Sequence, residues 1–222
     1  MAGRLAAEDY EFRQDYIAQI YSHSSNMVDS IRSYLLANVD GGETVNVYEN
    51  TGDTVDEEGR LPHSIEVIVE GGTDSAVAYG ILSCRPGGIQ TNGEVSIDCD
   101  GENGESINIR FNRPSSIYAW ISVSLSGDVK AVPSNYKRII TDLMMDNYGT
   151  LTAGQTLYIQ ALISEIYKKV PGLTRVVITQ ANTTSSSTVP GDSDYKDENI
   201  QAKKREKIVV AENRIKVVLT GL

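Results

Sequence analysis

Apolar positions near the start of the chain recur with the period of a helix. Tyr10, Ile17, Ile20, Val28, Ile31 and Leu35 fall at spacings of three, four, seven or eight, which puts them on one stripe of a helix over 8–38. The cap-type residues Ser22, His23, Ser24, Ser25 and Asn26 interrupt that stripe and predict a break or a second helix start. Asp40-Gly41-Gly42 stops the helix. The period then changes to two. Thr44–Tyr48 and Ser64–Val69 alternate as strands do, with Ile65, Val67 and Val69 facing one way. Between them, Glu49–Leu61 is polar and turn-rich, which predicts a surface loop. Gly71-Gly72-Thr73-Asp74 opens a helix over about 74–84, capped by Thr73 or Asp74, and Arg85-Pro86-Gly87-Gly88 ends it. Strands over 94–99 and 106–111 flank Asp100-Gly101-Glu102-Asn103-Gly104, a hairpin signal.

After Arg113-Pro114-Ser115-Ser116, a candidate hinge, the pattern restarts. Ile117, Ala119, Ile121, Val123 and Leu125 alternate with Tyr118, Trp120, Ser122 and Ser124 in a long strand. Helices are expected over 133–147, with Pro133 near the first turn, and over 152–168, carrying Ile159, Leu162, Ile163 and Ile166. Pro171-Gly172 leads into a strand at 175–180, and the chain closes in a hairpin, 207–211 and 214–219, turning at Glu212-Asn213. The tract 181–206 is rich in Ser, Thr, Asp and Lys and is read as an exposed polar arm or loop. A β-hairpin arm, an exposed loop and a disordered insertion all fit its composition. The expected class is α+β: two small α/β-sandwich-like lobes in series, with mostly antiparallel sheets and helices packed on one face. The first lobe, 1–113, runs α-β-β-α-β-β; the second, 114–222, runs β-α-α-β-β-β.

Composition narrows the partners. The 222 residues can bury two small cores. A net charge of -10, from 20 Lys+Arg against 30 Asp+Glu, argues against nucleic acid, whose phosphates need clustered positive charge. Identical copies also repel at long range, so self-association must rest on apolar contact or locally matched charges. No apolar run reaches the roughly 18–20 residues that span a bilayer, so no membrane insertion is expected. The N-terminal Met1-Ala2-Gly3-Arg4-Leu5 lacks the apolar core of a secretion signal, which reads as a cytosolic-type chain. Cys84 and Cys99 are too far apart for a Cys-x-x-Cys pair and are expected to be free, inert thiols.

Little in the chain suggests catalysis. His23 and His63 are the only histidines, and neighbours on a strand point to opposite faces, so His63 does not serve Ser64 as a base. The acids from Asp98 to Glu105 have a calcium-loop flavour. An EF-hand begun at Asp98 would need glycine at 103 and glutamate at 109, where Asn103 and Ile109 stand. Gly71-Gly72 and Gly87-Gly88 match neither the phosphate-cradling loop nor the dinucleotide fingerprint. No catalytic, metal or cofactor-binding residue is therefore assigned. Tyr118 and Trp120, on the strand face opposite the isoleucines, form a candidate interaction surface unless another element of the same lobe covers them.

Three phrases stand in a fixed order: Pro-His-Ser-Ile-Glu-Val-Ile-Val-Glu-Gly-Gly (62–72), Arg-Pro-Gly-Gly-Ile-Gln-Thr-Asn-Gly (85–93) and Ile-Arg-Phe-Asn-Arg-Pro (109–114). That order resembles the baseplate J-like proteins, wedge components at the end of contractile phage tails. Gly3-Arg4 with Glu8, Glu11 and Arg13, the stretch Val45–Asn50, and Val170-Pro171-Gly172-Leu173 extend the resemblance over about residues 3–180. Asn92 departs from it, standing where members often have an aromatic, and 181–206 has no counterpart. Members are usually longer, so the resemblance implies a middle and C-terminal fragment. It implies a wedge subunit, not an enzyme and without cofactor, that joins other wedge and hub proteins as a homo-oligomeric ring around the tail hub. Its place would be the virion tail baseplate of a phage, prophage or injection device, assembled in the bacterial host cytoplasm. Lobe motion about residues 113–116 would accommodate the ring's change of shape. The alternative from another class is a carbohydrate- or receptor-binding tail module using Tyr118, Trp120 and the long loops. An envelope hydrolase would need paired carboxylates across a cleft.

Overall fold

In the computed structural model, residues 27–221 are described. The expected helix at 8–38 is seen as α1 (Met27–Asn38), which buries Ile31 and Leu35. Its part before residue 27, with the expected break at 22–26, lies outside the described residues. The chain divides into two units, Met1–Arg113 and Pro114–Leu222, and the class is α+β.

In the first unit, strand β1 (Gly42–Asn50) pairs antiparallel with β2 (Ser64–Gly71), in the register Val45 to Val69 and Val47 to Val67. Helix α2 (Asp74–Cys84) follows; Thr73 is its cap, its hydroxyl accepting from Ala76 N at 3.2 Å. A short strand β3 (Gln90–Asn92), which the sequence pattern did not announce, lies parallel to β2. The expected hairpin forms from β4 (Val95–Asp100) and β5 (Ser106–Phe111). Ile65, Val67 and Val69 join Ile31, Leu35, Ile81, Cys99, Ile109 and Phe111 in one apolar core.

The other face of β2 is also buried, and there the chemistry is polar. Glu66, 1% exposed, accepts from Arg60 Nη1 at 3.1 Å and from Asn112 Nδ2 at 2.6 Å. Arg60 also bonds Asp56 at 2.7 Å and lies 5.3 Å from the Tyr48 ring centre. Asn50 Nδ2 donates to the carbonyls of Thr54, Arg60 and Leu61. The loop expected to be mere surface is thus fastened at its C-terminal end by a buried, paired charge. A buried charge persists only when paired and hydrogen-bonded in this way.

Strand β6 (Ser115–Gly127) is the spine of the second unit. On one edge it pairs antiparallel with β8 (Leu173–Thr183), Leu125 opposite Val176. On the other edge β10 (Glu206–Val209) and β11 (Ile215–Gly221) both run parallel to it. This corrects the expected closing hairpin. Glu212–Arg214 forms a 3-10 turn that carries the chain onward instead of reversing it, so the two segments lie end to end along one edge. Two helices, α3 (Tyr136–Tyr148) and α4 (Gln160–Lys169), contribute Ile140, Leu143, Met144, Leu162 and Ile166 to the core under β6.

The expected helix over 152–168 begins only at Gln160. Gly154 adopts φ +80° and donates to Glu206 O at 2.9 Å, and strand β7 (Thr156–Leu157) then pairs with β9 (Ile200–Gln201). A long-range pairing has taken residues whose local period suited a helix. β9 and a bridge between Gln180 and Lys196 also tie the tract 181–206 to the unit, so it is a loop in three short spans and not a hairpin arm.

The tightest backbone approach in the first unit is at Gly71, where φ is +78° and an added Cβ would lie 1.9 Å from Gly41 O. Gly71→Ala is expected to cost about 3 kcal/mol, combining left-handed strain with displacement of the adjoining turn. Urea unfolding measures this, and a loss below about 1 kcal/mol would mean the turn relaxes freely.

Candidate interaction surface

Alternation along β6 gives its two faces different tasks. Ala119, Ile121, Val123 and Leu125 are buried against the helices, while Tyr118, Trp120, Ser122 and Ser124 point to the other side. Register extends that second face across the sheet: Ala181 stands opposite Trp120, Thr179 opposite Ser122, and Lys216 beside Ser122. Trp120 is half-buried. Its indole Nε1 donates to Thr183 Oγ1 at 3.0 Å, and that hydroxyl donates to Ser185 O at 2.8 Å, which fixes the ring.

The loop after β8 does not cover this face but walls it. Gln180 and Lys196 exchange backbone bonds at 2.7 and 2.9 Å, which brings Val189, Pro190, Asp192 and Tyr195 over one side of Trp120. Asn213, Arg214, Ile215 and Lys216 form the opposite wall of a cleft of about 400 Å³. Burial pushes the Tyr195 hydroxyl up in pKa, and the Asp192 charge adds to that. Arg214 is only 8% exposed, with its guanidinium carbon 5.1 Å from the Tyr118 ring centre. Sequence reading placed Tyr118 and Trp120 on this face but missed Arg214. Nothing local marks that residue, because its burial follows from the 3-10 turn between two collinear strands.

The four candidate hinge residues divide between the units. Arg113 donates to the carbonyls of Val69, Gly71 and Gly72 and to Asp74, closing the turn before α2. Ser115 donates to Arg205 O at 2.8 Å, and Ser115 and Ser116 already pair with Glu206 and Lys207. Pro114 lies between. The phrases at 62–72, 85–93 and 109–114 serve the first unit's turns. His63, at φ 49°, holds the loop through Asp53 at 2.9 Å, and Asn92 donates to the Ser64 hydroxyl, which itself donates to Leu61 O. That hydroxyl is committed to backbone and Asn92, not to the imidazole. The acids of the β4–β5 turn are likewise occupied: Glu105 accepts from Asn103 N and Asp98 from Asn108. Among the described residues, no three His, Cys, Asp or Glu side chains group to hold a metal. No helix among them is long and apolar enough to cross a membrane.

The sequence matches no family model, and it matches none of the curated proteins. Among solved structures, the fold is similar to a chain of the anti-feeding prophage baseplate, determined by cryo-electron microscopy with six-fold symmetrisation. The TM-score is 0.50 at 13% identity, and the likeness covers 95% of this chain and 43% of that one. The chain therefore spans less than half the length of the baseplate chain, and the likeness is one of fold.

Both cysteines are free, Cys99 buried and Cys84 partly so. Burial pushes Cys84 up to about 11, and burial, with the Asp100 and Asp98 charges, raises Cys99. At pH 8 the Cys84 thiolate is then on the order of one part in a thousand. Cys84 is expected to react with Ellman's reagent on the order of a hundredfold more slowly than free cysteine until guanidinium unfolds the chain, and the buried Cys99 is expected to be slowed as well. Fast reaction in the native state would show that the sites open locally.

Proposed function

We propose that the chain is a structural, non-catalytic component of the baseplate of a contractile tail or a related injection device. The observation that carries this reading is the fold likeness to a baseplate chain over 95% of the residues. The baseplate J-like phrases at 62–72, 85–93 and 109–114 add to it from the sequence side. In the finer form of the proposal the chain is part of a wedge subunit. Copies associate in a ring around the hub, contact other wedge and hub proteins, and turn about Pro114 as the ring changes shape. Two units in series, each with its own core, suit a jointed building block. A second reading, a saccharide-binding tail module, is favoured by one feature only, the half-buried Trp120 in a cleft with polar walls.

Immunogold electron microscopy on induced lysates tests the location. Label at the distal tail end below the sheath is expected; label confined to fibre tips would favour the saccharide reading, and unlabelled particles would overturn both. Self-association has its own signature. With a net charge of -10, repulsion between copies is screened by salt, so sedimentation should show more oligomer at high ionic strength than at low. The opposite trend would mean that matched ion pairs, not apolar contact, join the copies.

A further inference from the structure

Arg214 is a buried cation without a counter-charge among the described residues. Its Nη2 donates to Val209 O at 3.3 Å, its Nε has no hydrogen-bond partner, and its guanidinium stacks on Tyr118. No carboxylate among the described residues forms an ion pair with it; Asp192 lines the same cleft but is not bonded to it. Stacking on an aromatic face leaves the in-plane N–H donors of a guanidinium unserved. Buried charges in proteins are otherwise paired, as Arg60 is with Glu66 in the first unit of this chain.

The surroundings of Arg214 say what would complete it. Lys216 lines the same cleft, so two cations face one acid there, in a chain whose net charge is -10. By register Lys207 lies on the same sheet face, since it pairs with Ser116, two residues before Tyr118. Val189, on the lining of the cleft, is 70% exposed, and Val218, two residues along β11 from Lys216 on the same sheet face, is 42% exposed. A buried arginine beside a tryptophan is a combination enriched among the residues that carry binding energy between proteins. A cleft of about 400 Å³ lies toward the small end for ligand sites and suits one side chain with its flanking backbone.

We propose that the cleft between Trp120 and Arg214 is a docking site for an acidic side chain, Asp or Glu, presented by another polypeptide. The carboxylate pairs with Arg214 and Lys216, and the apolar part of the incoming segment rests on Trp120 and Val189. The choice of a polypeptide as source rests partly on the baseplate reading, in which the chain works among other subunits. Carboxylate recognition itself does not.

Trp120 is the only tryptophan, so its fluorescence reports this cleft alone. The full chain is titrated with the capped tripeptide acetyl-Val-Glu-Val-amide, with its Gln counterpart and with glucuronate. The Glu peptide is expected to shift Trp120 emission saturably, with the Gln peptide at least about tenfold weaker and glucuronate without effect. Arg214→Met is expected to abolish the response while leaving the melting temperature unchanged or higher, because an apolar isostere removes an unpaired buried charge. Equal response to the Gln peptide, a response retained in R214M, or no response to any probe overturns the site. A response to glucuronate alone overturns the polypeptide source. A sharply lower melting temperature in R214M would assign Arg214 to holding β10 and β11 on Tyr118, and the wild-type titrations still decide binding. None of these outcomes bears on the gold labelling, so failure of the docking site and failure of the baseplate reading remain distinguishable.

Discussion

Strand β6 is bonded along both edges, antiparallel to β8 and parallel to β10 and β11, and most of the second unit follows from that. A strand in this position has a single workable register. A slip of one residue would carry Ile121, Val123 and Leu125 out of the core and drive Trp120 and Ser122 in among the helices. Full burial of each of those aliphatic side chains contributes about 2 kcal/mol, so the penalty for slipping is prohibitive for a domain of ordinary stability. The same register that builds the core sets Trp120, Thr179 and Lys216 side by side on the opposite face. The cleft is in that sense a by-product of the core.

The first unit depends on a different kind of interaction. β2 is covered on both faces, which would ordinarily call for apolar residues at every position. Glu66 occupies one of them, held by Arg60 and Asn112. The arrangement links the loop after β1, the middle of β2 and the residue after β5, segments far apart in the sequence. Removing one partner of such a pair leaves an uncompensated buried charge, which is far more costly than replacing the pair as a whole. Arg113 does a related task at the other end of the unit by collecting three carbonyls and Asp74. Two adjacent residues, Asn112 and Arg113, thus close the unit where the chain leaves it.

The contrast between Arg60 and Arg214 connects structure to function. Both are nearly fully buried and both stack on a tyrosine, yet among the described residues only Arg60 is paired with carboxylates. In the proposed assembly, a chain of net charge -10 meets long-range repulsion from its own copies. In the proposed docking, the cationic cleft meets an acidic side chain of a different polypeptide through short-range, directional contacts that net charge does not forbid.

What could be read from the residues alone was what has a local cause. Alternation in 64–69 and 117–125, the Thr73 cap and the turn at Asp100–Gly104 are all written in neighbouring residues, and they stand where the pattern placed them. Tyr118 and Trp120 were legible for the same reason, since parity along a strand assigns faces without knowledge of the partner strand. Strand direction was not legible. The segments 206–209 and 215–221 carry the same period whether they fold back on each other or run on beside β6, and which occurs is settled by the bonds β6 offers along its free edge. Residues 152–159 suited a helix until Ile200, some forty positions away, supplied a strand partner. β3 is three residues long, too short to show a period at all. Nothing in sequence marks Arg214 as buried, because burial belongs to the packed sheet, not to the side chain's neighbours in sequence. Local period and capping come from the chemistry of adjacent residues; direction, pairing and burial come from contacts between segments that the chain brings together only by folding.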